Sequence, residues 1–68
     1  GIELAQAVVR MNRQNRLQIV VEDDSIKSLR VSGVFLAGDP ETFVRLISAT
    51  FDLQAERRGA SEVVLRTK

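Results

Sequence analysis

The stretch Asp39-Pro40-Glu41-Thr42 constrains this chain more than any other. Asp39 is an N-cap acceptor, Pro40 brings a preset φ to the first helical position, and Glu41 places an acid near the positive end of the helix dipole. A helix therefore starts at Pro40. Phe43, Val44, Leu46, Ile47 and Phe51 give it a broad apolar stripe to about Thr50, which predicts the central core element. That helix divides the strand-forming residues into two groups that need not share a sheet.

Upstream, Leu4, Ala5, Val8 and Met11 follow helical spacing across 2–12, and Asn12 to Arg16 ends the pattern with residues suited to a left-handed cap and to the negative end of the dipole. Leu17–Val21 is β-branched and alternating, so it reads as a strand with its odd positions inward. Glu22-Asp23-Asp24-Ser25 supplies turn and N-cap chemistry ahead of one helical turn over 26–29. A second strand is expected across Leu29–Leu36, with Val31, Gly33 and Phe35 inward and Gly33 at a bulge. Downstream, 53–58 and 62–66 alternate around Gly59-Ala60-Ser61, which predicts a terminal hairpin. These elements form an α+β domain over residues 1–68, with two helices sandwiched between two small β-sheets. The predicted core joins Phe43, Leu46, Ile47 and Phe51 to Leu4, Val8, Ile19, Val31 and Phe35.

A chain of 68 residues holds one small domain. Ten basic and nine acidic side chains leave a net charge of +1, too little to steer nucleic acid or an anionic membrane. The absence of Cys and His removes disulfides, thiolate and imidazole metal ligands, and His-dependent bases. Ser25, Ser32, Ser48 and Ser61 thus lack an imidazole to activate them, and no enzyme activity, catalytic residue, cofactor or metal is expected. Glu22-Asp23-Asp24 lacks the alternating ligands of a calcium loop and reads as a solvated turn. Arg10, Arg13 and Arg16 could meet phosphates, but no aromatic accompanies them for base stacking, so a nucleic-acid module is the lesser alternative. No apolar run exceeds four residues, and the Gly1–Arg10 segment lacks the basic start and continuous apolar run of a signal peptide. The Gly-Ile start favours a fragment of a longer chain.

The run Leu4-Ala5-Gln6-Ala7-Val8-Val9-Arg10-Met11-Asn12-Arg13-Gln14-Asn15-Arg16, then Leu29-Arg30-Val31-Ser32-Gly33-Val34-Phe35 and Asp39-Pro40-Glu41-Thr42-Phe43, resembles the C-terminal region of FecR-type anti-sigma regulators. That region is similar to the STN signalling domain of TonB-dependent transducers and the first (N0) domain of secretins, a fold of paired βαβ-like units. Asn12-Arg13 and the Arg30–Phe35 strand favour the regulator branch; a transducer or secretin domain is the alternative. The resemblance implies a strand ahead of the first helix, which is expected to be missing from this fragment. It also implies a periplasmic domain of an inner-membrane regulator. Such a domain would bind the N-terminal signalling domain of an outer-membrane siderophore or haem transducer, and another part of the parent chain would act on an extracytoplasmic-function (ECF) sigma factor. Strand parity gives the docking surface: 17–21 and 29–36 are expected to share a sheet with an open edge, on whose outer face Val20, Val34 and Leu36 lie beside Gln18, Arg30 and Ser32. Val34 and Leu36 are the expected anchors, and Arg30 the steering charge on the rim.

Overall fold

Extended backbone at Ile2–Glu3 forms a short strand, β1, immediately ahead of helix α1 (Leu4–Gln14). The chain continues through β2 (Gln18–Val21), α2 (Asp24–Lys27), β3 (Arg30–Val31), α3 (Pro40–Phe51), β4 (Leu53–Arg58) and β5 (Glu62–Thr67). The computed structural model describes residues 1–31 and 38–68. The expected strand positions Ser32 to Leu36, including the Gly33 bulge and the core place of Phe35, lie outside the described residues.

The result is an α+β fold with two small sheets. β1 pairs antiparallel with β3, setting Ile2 opposite Val31 and Glu3 opposite Arg30. The strand expected to be missing is therefore present, built from only two residues. The other sheet has three strands in the order β2-β5-β4, with β2 parallel and β4 antiparallel to β5.

This topology corrects the expectation that 17–21 and 29–36 share a sheet. β2 instead joins the terminal hairpin, because β5 offers the better match. Ile19, Val20 and Val21 lie opposite Val63, Val64 and Leu65, so apolar side chains meet on both faces of the pair. All three β5 residues are buried, which requires a neighbour on each edge and cover on each face.

One core gathers Leu4, Ala7, Val8 and Met11 from α1, Phe43, Val44 and Ile47 from α3, and Ile19, Val31, Leu53, Val63 and Leu65 from the strands. α1 touches both sheets, while α3 lies against β4. Two expected core residues differ. Leu46 is 50% exposed, because it sits one residue, about 100°, round the helix from Ile47, on the side away from Val44. Phe51 packs against the core only in part.

Helix ends follow local chemistry. At α3, Thr42 N–H donates to Asp39 Oδ1 at 3.2 Å and Thr42 Oγ1 to Oδ2 at 2.7 Å. Asp52 closes the helix in the left-handed region, at φ 56°, with its N–H on Ser48 O. The left-handed Asn cap expected for α1 is absent, since Asn15 is extended at φ −134°. Side-chain amides serve instead: Asn15 Nδ2 donates to Met11 O at 2.8 Å, and Gln18 Nε2 donates to the carbonyls of Asn12 (3.0 Å) and Asn15 (2.8 Å).

Candidate docking surfaces

Side chains alternate across the sheet β2-β5-β4, so its outer face carries Gln18, Val20, Gln54, Glu56, Arg58, Glu62, Val64 and Arg66. Val20 is 39% exposed, whereas Val64, its partner across the pair, is fully buried. Charged side chains provide the cover. Arg58 reaches across β5 to Glu22 at 3.4 Å, and Arg66 contacts Glu22 at 3.7 Å and pairs with Glu56. Glu56 lies directly opposite Val64, and Arg58 and Arg66 share that face with it. The Arg66 Nε within this cluster is buried without a partner.

The acidic turn beside this face sends its carboxylates in three directions: Glu22 to the two arginines, Asp24 to Lys27 at 2.8 Å, and Asp23 to Thr67. The helical turn expected over 26–29 forms at 24–27, which puts Asp23 at its N-cap, but the Asp23 side chain makes no cap bond. Its Oδ2 instead accepts from Thr67 N–H at 2.7 Å and from Thr67 Oγ1 at 2.9 Å, fastening the end of β5 to the turn after β2. These two bonds, the backbone one foremost, hold the Asp23 carboxyl below its ordinary pKa, with Arg66 adding a smaller effect.

The expected docking residues fall in different places. Val20 lies on the outer face of the larger sheet, and Arg30, exposed on β3, belongs to the smaller one and donates from Nη1 to Gly1 O at 3.2 Å. Ser32, Val34 and Leu36 lie outside the described residues. Among the described residues, then, Val20 and Arg30 share no sheet. Arg10, Arg13 and Arg16 are exposed along and just beyond the end of α1.

Two features escape sequence reasoning. The first is Asn12, whose amide treats β2 as a neighbouring strand would. Nδ2 donates to Ile19 O at 2.9 Å, and Ile19 N–H donates to Oδ1 at 2.9 Å. Both outward-facing backbone groups of Ile19 are thereby taken on the free edge of β2. The second is a groove between α3 and β4, floored by Leu17, Val44, Ala55 and Val63 and continuing past Ala49 and Leu53. Its segment along α3 is a shallow trough of about 490 Å³, open to solvent. Ala49 and Ala55 are its sequence signal: each puts only a methyl group where a larger side chain would fill the space.

No helix among the described residues is long and apolar enough to cross a membrane. No family model matches the chain, and no curated protein is significantly similar to it.

Proposed function

We propose that this chain is the periplasmic STN-like signalling domain of a FecR-type anti-sigma regulator. In this reading it binds the N-terminal signalling domain of an outer-membrane TonB-dependent transducer. The parent chain, anchored in the inner membrane, relays the signal to an ECF sigma factor. The domain acts as a protein-docking module with no cofactor and no catalysis of its own.

One observation carries the reading. The resemblance requires a strand ahead of the first helix, and Ile2–Glu3 supplies it, paired with Arg30–Val31 within the motif segment that bears the resemblance. Two small sheets and the amphipathic helices α1 and α3 support the same reading. The candidate docking residues are Arg30, Ser32, Val34 and Leu36, which alternate along 30–36, with Val20 a separate position on the outer face of the larger sheet.

Calorimetric titration of the transducer's signalling domain into the chain tests both parts. The proposal expects saturable binding that is weakened when Val20→Asp or the pair Val34→Asp and Leu36→Asp is introduced into a folded domain. Absence of binding by the unaltered chain refutes the function. Binding that all three substitutions leave unchanged refutes the surface alone.

A further inference from the structure

We propose that the free edge of β4 pairs with the same edge of a second copy of this chain, antiparallel about a two-fold axis at Ala55. The backbone bonds decide which groups that edge offers. Gln18 N–H donates to Ser61 O and Glu22 N–H to Leu65 O, so the odd-numbered residues of β5 turn their backbone groups toward β2. By alternation Glu62, Val64 and Arg66 turn theirs toward β4, where they meet Arg58, Glu56 and Gln54. Leu53, Ala55 and Arg57 therefore direct their N–H and C=O away from the sheet. Those of Ala55 and Arg57 have no backbone partner among the described residues.

The two edges of this sheet are treated differently. On β2 the Asn12 amide takes both outward groups of Ile19, whereas the β4 edge from Gln54 to Arg58 is exposed. β4 contains neither Pro nor Gly, and its register with β5 runs unbroken from Leu53 to Arg58, so no bulge turns the edge away. Arg57 is an inward-facing charge of the kind that guards edges, but it is drawn to Glu41 on α3 of its own chain. An edge left open in this way recruits a strand.

The order of residues in β4 selects its own copy as that strand. Directly opposite residues of an antiparallel pair lie on one face of the sheet, so the two-fold axis must pass through a residue and not between two. Centred on Glu56 the axis sets two carboxylates face to face, and centred on Arg57 two guanidinium groups. Centred on Gln54 it engages only 53–55 and brings Asp52 toward Glu56 of the second copy. Centred on Ala55 it engages all of 53–57, with Ala55 against Ala55, Leu53 against Arg57 and Gln54 against Glu56 across the two copies. No like charges then stand opposite, and the Gln54 amide can donate to the Glu56 carboxylate of the second copy. The two Glu56 residues become diagonal neighbours, each already paired with the Arg66 of its own chain. The outward backbone groups of Leu53, Ala55 and Arg57 face their counterparts, and one sheet continues through both copies. The inference goes beyond the transducer reading and does not rest on it.

Sedimentation equilibrium of the chain tests the pairing. A short edge makes a small interface, so the mass should rise toward that of two chains between about 10 µM and 1 mM. Amide exchange followed by NMR over the same range should slow several-fold at Ala55 and Arg57 as concentration rises. Gln54, Glu56 and Arg58, whose N–H groups are bonded to β5, should exchange slowly throughout. Ala55→Pro removes only an outward N–H and should leave the chain folded and monomeric. Gln54→Glu sets like charges against Glu56 of the second copy and should weaken association about fivefold, while Gln54→Lys should strengthen it by a similar factor. These two variants decide the matter if Ala55→Pro does not fold. A chain that stays monomeric at the highest concentration would leave the edge to another protein and overturn the proposal. Dimerisation unchanged in the folded Ala55→Pro or in both Gln54 variants, or protection gained on β2 instead of β4, would overturn it as well.

Discussion

Asn12 sits in a helix yet bonds a strand, and replacing it separates two opposed effects. Asn12→Ala removes both 2.9 Å bonds to Ile19 and leaves that residue's N–H and C=O without a protein partner. Each such bond contributes about 1 kcal/mol net, so the pair is worth about 2 kcal/mol at a partly buried edge that water can reach. Alanine is the better helix former by roughly 0.6 kcal/mol, which offsets part of the loss. The expected net destabilisation is about 1.5 kcal/mol, a fall in Tm of roughly 6–12 °C for a domain of this size. Urea unfolding followed by far-UV circular dichroism measures it. Asn12→Asp adds a signature: the carboxylate keeps an acceptor for Ile19 N–H but sets an oxygen against Ile19 O. It should therefore be at least as damaging at neutral pH and recover in part once acid restores a donor. Unchanged or increased stability in Asn12→Ala would mean that helix propensity outweighs the edge bonds, and the edge-blocking role would be refuted.

Three further predictions follow from burial and hydrogen bonding. Phe43 is 2% exposed, so Phe43→Ala should cost about 3–5 kcal/mol and leave little cooperative folding. The half-buried Phe51→Ala should cost clearly less, and equal losses in thermal melts would contradict the assigned helix face. Leu46→Gln, at a position 50% exposed, should shift stability by no more than about 0.5 kcal/mol; a loss above 2 kcal/mol would place Leu46 in the core. The Asp23 carboxyl is held below its unfolded pKa by Thr67. Its contribution is thus present above the ordinary carboxylate range and lost as pH falls through the lowered value. Asp23→Asn should be less stable than the unaltered chain at pH 7, with the gap closing below about pH 4. Parallel pH profiles would contradict this.

Local signals were legible wherever the chemistry is local. Asp39 and Pro40 start α3 as expected, and the alternation around Gly59 yields the β4-β5 hairpin. The α2 turn also forms near its expected place. Pairing partners were not legible in the same way, since they depend on contacts distant in sequence. β1 is two residues long, too short for any periodic signature. The uninterrupted run Val63-Val64-Leu65 does signal a strand covered on both faces, but reading it as an alternating hairpin arm hid its need for β2. Asn12 resembled a helix-end residue because its backbone partner lies on the following strand. The groove could not be read from sequence, because Ala49 and Ala55 acquire meaning only when α3 and β4 are side by side.

The claim that this domain docks another protein is tested most directly by amide NMR of the labelled chain titrated with a transducer's signalling domain. Saturable shifts are expected on one contiguous surface that includes Val20 or Arg30, with the signals of buried Phe43 and Leu65 unmoved. Spectra that superimpose at excess partner would contradict it.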